Sequence, residues 1–317
     1  MDEFTLAATE AGQTLAAVLR GRLGLTWSAA RALCERGKVF VGETRTLDSA
    51  QRLPAGAKIV LRRDARRPLS ERGEQALAAL VYEDSQLVVI DKPEGIQSVP
   101  YERTDTDTAM DLIRAAWRAG GKKADATALH IVHRIDKDTS GLLVFAKTKV
   151  ALRELQARWR VHDIERRYLC VTHGRLPSRR MESYFVDDRG DGLRGSLRHP
   201  PAGASARPIG KHAVTHVEAV EFLGAVATVC AVTLETGKTH QIRIHLSEAG
   251  HPIVGEQVYI RDFLARGGEP LPSPRLLLHA ETLGFVHPVT GEKLSFTRPP
   301  PAAFAETLDR LRRRSLP

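Results

Sequence analysis

Cysteine is scarce in this chain: Cys34, Cys170 and Cys230 are the only three among 317 residues, and they lie far apart. With no close pair there is no zinc knuckle, and an odd number cannot be fully disulfide-bonded, so reduced thiols in a cytoplasm are expected. Long apolar runs are missing too. None approaches the roughly 18 residues that span a bilayer, which excludes a helical membrane protein. The opening Met1-Asp2-Glu3 is acidic where a signal peptide needs positive charge, so export is not expected. The remaining composition, 42% hydrophobic and 27% charged, excludes a wholly disordered chain. The length suits two domains better than one.

Basic residues are in surplus, 47 against 38 acidic ones for a net charge of +9, which points to a polyanionic partner. The surplus is concentrated near the N-terminus, where residues 20–72 hold 13 Lys and Arg against 5 Asp and Glu. Within that region, Leu15, Val18 and Leu19 and then Ala29 and Leu33 recur at helical spacing. Helices are therefore predicted over 14–22 and 28–36, capped by Thr14 and Ser28 and stopped by Gly37. Strands are predicted over 38–41 and 58–61, followed by the basic stretch 62–70. A boundary near Gly73 gives a small αα-ββ domain with its linker, 1–73, and a larger domain, 74–317.

Beyond the boundary, strands are predicted over 87–90, 142–147, 168–172, 227–234 and 241–246. Helices are predicted over 108–118 and 151–160 and at the basic C-terminus, and residues 177–208 read as an irregular insertion. Regular strand-helix alternation is missing. The expected class is α+β, a mixed and mainly antiparallel sheet with flanking helices. Residues 190–195 formally match GxGxxG, yet no strand feeds them into a helix, so a dinucleotide site is not expected. Gly237-Lys238-Thr239 resembles the end of a phosphate-binding loop, but Val232 stands where its first glycine belongs. A metal site is not expected either. There is no HExxH, and on the predicted strand His240 and His245 point to opposite faces.

Two stretches carry the chemistry. Residues 130–147, HIVHRIDKDTSGLLVFAK, place a charged turn between apolar segments, with Asp136 where a rigid scaffold aims a loop carboxylate into a cleft. Alone, such a segment is more often an ordinary Asx-type turn. Residues 234–246, LETGKTHQIRIHL, put Gln241, Arg243 and His245 on one face of the predicted strand, and a carboxylate is the natural partner of that guanidinium.

Together the two stretches resemble the large-ribosomal-subunit (RluA) type of RNA pseudouridine synthase, marked by HR(L/I)DxxTSGLLVFAK and a later TGRTHQIRVH. Glu83-Asp84 with residues 87–95, Glu165-Arg166-Arg167-Tyr168, His279-Ala280 and residues 287–292 agree in order, so the resemblance spans about 81–299. The N-terminal unit resembles the alpha-L RNA-binding module named for a small-subunit ribosomal protein, departing from it at Thr26-Trp27, where that module carries Ser-Arg. The resemblance implies isomerisation of uridine to pseudouridine without a cofactor, in structured RNA, with ribosomal RNA favoured over transfer RNA; a cytoplasmic monomer is expected. It places the catalytic aspartate on Asp136, the family's tyrosine on Tyr168 and the arginine that pairs with the aspartate on Arg243. Arg134, beside the aspartate, is the candidate for holding rearranged RNA, and Arg31, Arg36 and Lys38 are candidates for phosphate contacts. The competing readings are a non-catalytic RNA-binding or ribosome-assembly factor on the same fold and, less well matched, a nucleoside glycosidase with paired carboxylates.

Overall fold

The computed structural model describes residues 2–35, 37–46, 48–62, 76–100, 108–122, 127–196 and 209–315. Two compact units divide the chain, residues 1–77 with 118–121 and residues 78–117 with 122–317. In the first, the Thr14 hydroxyl accepts the Ala17 amide at 3.3 Å and caps α1 (Leu15–Leu23), and Gly24 ends the helix in the left-handed conformation. After α2 (Trp27–Glu35), the strands β1 (Asp2–Thr5), β2 (Val39–Val41), β3 (Thr44–Thr46) and β4 (Lys58–Leu61) form an antiparallel sheet in the order β1-β4-β2-β3. Leu15, Val18 and Leu19 of α1 and Ala30 and Cys34 of α2 share one core with Val39, Ile59 and Leu61. Periodicity located both helices and the strands at 39–41 and 58–61. It missed β1 and β3, which are short and carry little apolar pattern.

The second unit contains β5 (Leu80–Glu83), β6 (Leu87–Lys92), β7 (His130–Ile131), β8 (Ser140–Ala146), β9 (Glu165–His173), β10 (Arg179–Val186), β11 (Gly195–Ser196), β12 (Lys211–Leu223), β13 (Ala227–Leu234), β14 (Leu278–Val286) and β15 (Lys293–Thr297). Its helices include α3 (Ala109–Ala119), α4 (Lys149–Arg160), α5 (Gln241–Glu248), α6 (Arg261–Ala265) and α7 (Ala302–Ser315). The sheet runs β11-β10-β12-β13-β9-β14-β8-β6-β5, with β15 on β14 and β7 on β8. Among the strands of the described residues one pairing is parallel, β14 with β8, where His279 and Ala280 lie beside Ser140 and Gly141. This is the expected α+β class with a mixed, mainly antiparallel sheet. At the parallel seam Gly141 has φ +116°, and a Cβ there would run into the Ala280 backbone, so only glycine fits.

β6 and β8 are covered on both faces. Leu87, Val89, Leu142 and Val144 pack with Leu155 of α4, whereas Val88, Ile90, Leu143 and Phe145 pack with Ile113 and Trp117 of α3. Two-sided burial is why both strands read as unbroken apolar runs. β9, β13 and β14 share a third core with Phe304, Leu308 and Leu311 of α7.

Two expectations are corrected. The stretch 177–208 is not irregular throughout, since β10 pairs with β12 from Arg179↔Val217 to Phe185↔Lys211. Met181 and Phe185 are buried while Arg180 and Glu182 are exposed, a strand alternation masked by the arginine and glycine content of the region; residues 197–208 lie outside the described residues. Residues 241–246 form helix α5, not a strand. Every residue from Gln241 to Ser247 is buried, so the alternation of polar and apolar types reported nothing about which side faces water.

Burial also holds several histidines neutral. It pulls His133 down to about 3 and His245 and His279 to about 4. His245 accordingly spends both ring nitrogens on the Ser183 and Thr215 hydroxyls, each at 2.8 Å. Between the ordinary histidine value of about 6.5 and these depressed values the unfolded chain binds more protons, so stability is present above 6.5 and is lost as pH falls. The urea midpoint is therefore expected to drop steadily from pH 6.5 to pH 4; a flat midpoint across that window would contradict the burial of these rings.

Candidate active site

Asp136 lies in the loop between β7 and β8, and the loop is tied down on both sides of it. Before it, the Ser98 hydroxyl donates to the Ile135 carbonyl at 2.6 Å and accepts the Ile135 amide at 3.1 Å. After it, the Lys137 carbonyl accepts the Gly95 amide at 2.8 Å and the Lys92 ammonium at 3.1 Å. Lys92, fully buried at the end of β6, also donates to the Pro93 and Ile96 carbonyls, each at 2.9 Å. Burial pulls its pKa down to about 7, with the Asp138 and Asp136 charges acting the other way.

The Asp136 side chain, 18% exposed, opens into a cleft of about 300 Å³ whose walls include Arg134, Arg166, Tyr168, Lys238 and His240. Tyr168 projects from β9. Burial pushes its phenol up, Arg166 opposes and Asp136 adds, so the hydroxyl is neutral at pH 7. Arg134 is exposed and makes no ion pair among the described residues.

The expected Asp136–Arg243 ion pair is not formed. The Arg243 fork clasps Glu256 instead, Nε to Oε2 and Nη2 to Oε1, both at 2.7 Å. Glu256 Oε1 also accepts the Gln257 and Val258 amides at 3.0 and 2.8 Å. Burial raises the Glu256 pKa, but Arg243 and the amides outweigh it and hold the carboxyl below its usual range. Burial likewise works against the Arg243 cation, and Glu256, then Asp136 and Asp138, more than restore it. The helical geometry of α5 explains the change of partner. Gln241 and Ile242 line the cleft, whereas Arg243 lines a second cavity of about 230 Å³ with Glu94, Asp138 and Arg275. Arg243 therefore acts on Asp136 through its charge, not through a hydrogen bond.

Residues 86–248 match the family described as RNA pseudouridylate synthase. Over 235 residues the chain is 35% identical to ribosomal large subunit pseudouridine synthase D of Zymomonas mobilis, covering 73% of this chain and 71% of that protein. The chain belongs to the RNA pseudouridylate synthase family. It is also 31% identical over 290 residues to an uncharacterised RNA pseudouridine synthase of Synechocystis, covering 92% of this chain and 86% of that one. The human RNA pseudouridylate synthase domain containing 4 shares the fold, with a TM-score of 0.59 at 23% identity over 77% of this chain and 98% of that chain. The protein is an RNA pseudouridine synthase of the RluA type and isomerises uridine in RNA.

In the synthase, Asp136, Tyr168 and Arg134 come together around the cleft, and Arg243 stands behind it. In the first unit Arg31 is exposed, Lys38 is buried at 8% exposure, and Arg36 lies outside the described residues. Sequence reasoning missed Glu256, Lys92, Ser98 and His240. Glu256 follows Gly255 in a loop whose spacing from Arg243 matches no regular period. Gln241 was misplaced on a strand face. Its amide donates to the Val214 carbonyl and the Thr215 hydroxyl, and its carbonyl accepts the Thr236 hydroxyl and the Lys238 amide, which fixes the cleft wall. Glu256→Gln leaves the Arg243 charge buried without its counter-ion and is expected to lower stability by about 3–5 kcal/mol. Urea unfolding checks this, and an unchanged midpoint would refute the role given to the pair.

Proposed function

We propose that Asp136 opens the reaction, working at C1′ or C2′ of a uridine extruded into the cleft. The observation that carries this reading is that Asp136 is the one acidic side chain, among the described residues, lining a basic-walled cleft. The cleft volume is at the lower end for small-ligand sites and suits a single nucleotide. Flipping the base out of structured RNA costs a few kcal/mol. The N1–C1′ bond breaks, the detached uracil turns inside the cleft, and C5 bonds to C1′, with no net redox change and no group donor. Tyr168 cages the uracil with its ring while it turns. Arg134 holds the displaced RNA strand. Arg243 is a positioning residue, keeping a positive charge behind Asp136.

Large-subunit ribosomal RNA is the substrate this reading favours, supported by the name of the Zymomonas relative, a ribosomal large subunit pseudouridine synthase. Transfer RNA is the other outcome of mapping which uridines lose modification when the gene is deleted. The first unit, with its basic surplus and exposed Arg31, serves as an RNA-binding module in this reading.

Asp136→Asn is expected to abolish pseudouridine formation while RNA affinity stays within a few-fold, measured by tritium release from C5-labelled RNA beside filter binding. A fully active variant would defeat the assignment. Deleting residues 1–73 is expected to weaken RNA binding and flatten its dependence on salt, because phosphate contacts and their released counterions are lost. Unchanged affinity and salt slope would remove the module from RNA recognition.

A further inference from the structure

His240 lines the cleft but has no part in the steps above. It begins α5 with φ 57°, and with His162 it is one of two non-glycine residues at positive φ among the described residues. Such a conformation costs a residue bearing a Cβ on the order of 1–3 kcal/mol and persists where the surroundings impose it. Here it aims the imidazole, 30% exposed, along the cleft wall. Nε2 lies 4.0 Å from Asp136 Oδ1, and Nδ1 lies 2.7 Å from the Tyr259 hydroxyl. Burial pushes the Tyr259 phenol up to about 12, so it stays protonated and can accept Nδ1–H on its oxygen. That tautomer leaves the Nε2 lone pair facing the cleft. Burial keeps the ring neutral; Arg243 and Arg194 reinforce that, and Asp136 and Glu256 oppose it.

Isomerisation has a step that Asp136 at the sugar leaves open. Once C5 has bonded to C1′, C5 still carries its hydrogen and N1 is the nitrogen of a C6=N1 imine. Loss of the C5 proton moves the C–H electron pair into C5=C6 and the imine pair onto N1, which then takes a proton. C5 at that point is one bond from C1′, within reach of a group beside Asp136. The other cleft rings are poor bases: His133 titrates at about 3 and its Nε2 already accepts the Val144 amide, and the Tyr168 phenol is protonated. His162 sits exposed on the rim.

We propose that His240 is the general base that takes the C5 proton on Nε2 and returns a proton to N1, with Tyr259 fixing its tautomer. Protons balance within the site, and no co-reactant is needed. The assignment rests on Asp136 acting at the sugar.

The test uses the full chain and an RNA transcript that it modifies, made with hydrogen or deuterium at uridine C5. His240→Gly suits the positive φ and leaves a space that free imidazole can enter. Pseudouridine formation is expected to slow by about 10²-fold or more, to acquire a primary isotope effect that the unaltered chain lacks, and to recover partly with added imidazole. A His240→Gly chain that works at the normal rate, or one that is slow without isotope effect and without rescue, overturns the proposal. If Asp136→Asn is inactive beside a fully active His240→Gly, the base assignment alone falls. An active Asp136→Asn overturns the aspartate reading and this one with it.

Discussion

One buried ammonium organises the catalytic end of this synthase. Lys92 is fully desolvated at the tip of β6 and divides its three protons among the carbonyls of Pro93, Ile96 and Lys137. Taking a cation out of water is expensive unless its donors are all met, and the geometry that meets them is one in which the Asp136 loop is closed against the β6 turn. Ser98 repeats the constraint on the other side of the aspartate. Asp136 is therefore a loop residue with the positional definition of a strand residue, which a carboxylate needs if it is to meet a sugar carbon at bonding distance.

The second constraint acts from behind. Arg243 and Glu256 form a closed bidentate pair inside the protein, and the Glu256 carboxylate also gathers the amides of the following turn. The pair holds Arg243 in the second cavity, while Gln241 and Ile242 of the same helix line the cleft. The loop bearing Asp136 and Asp138 has a cavity on either side, one lined by Asp136 and the other by Asp138 and Arg243. Positive charge thus stands behind the aspartate without occupying its carboxylate oxygens.

Much of this was legible beforehand. Strands buried on two faces announced themselves as apolar runs, and capped helices as periodic ones, so β6, β8, β13, α1 and α4 fell close to expectation. The segments that hold Asp136 and Tyr168 were long and specific enough to identify the family. What failed had a common cause. In α5 and around Arg243 the polar side chains are buried and satisfied by protein groups, as Gln241, Arg243 and His245 each show, and a pattern rule that equates polar with solvent-facing reads them as a strand. Glu256 and Lys92 are invisible to such rules because Glu256 stands in a loop and pairs with a helix residue and main-chain amides, while Lys92 donates to main-chain carbonyls.

The parallel seam between β8 and β14 has a consequence for when the enzyme comes into being. Asp136 belongs to the segment leading into β8, Tyr168 to β9 on the far side of β14, and the α5 wall and Glu256 to still later sequence, while β14 itself is made only at residues 278–286. A nascent chain emerging N-terminus first can complete its first unit early, yet it has no cleft until the last third of its length is released. With the RNA-binding role proposed for the early unit, grasp of RNA would precede any capacity to alter it, and translation itself would time the first turnover.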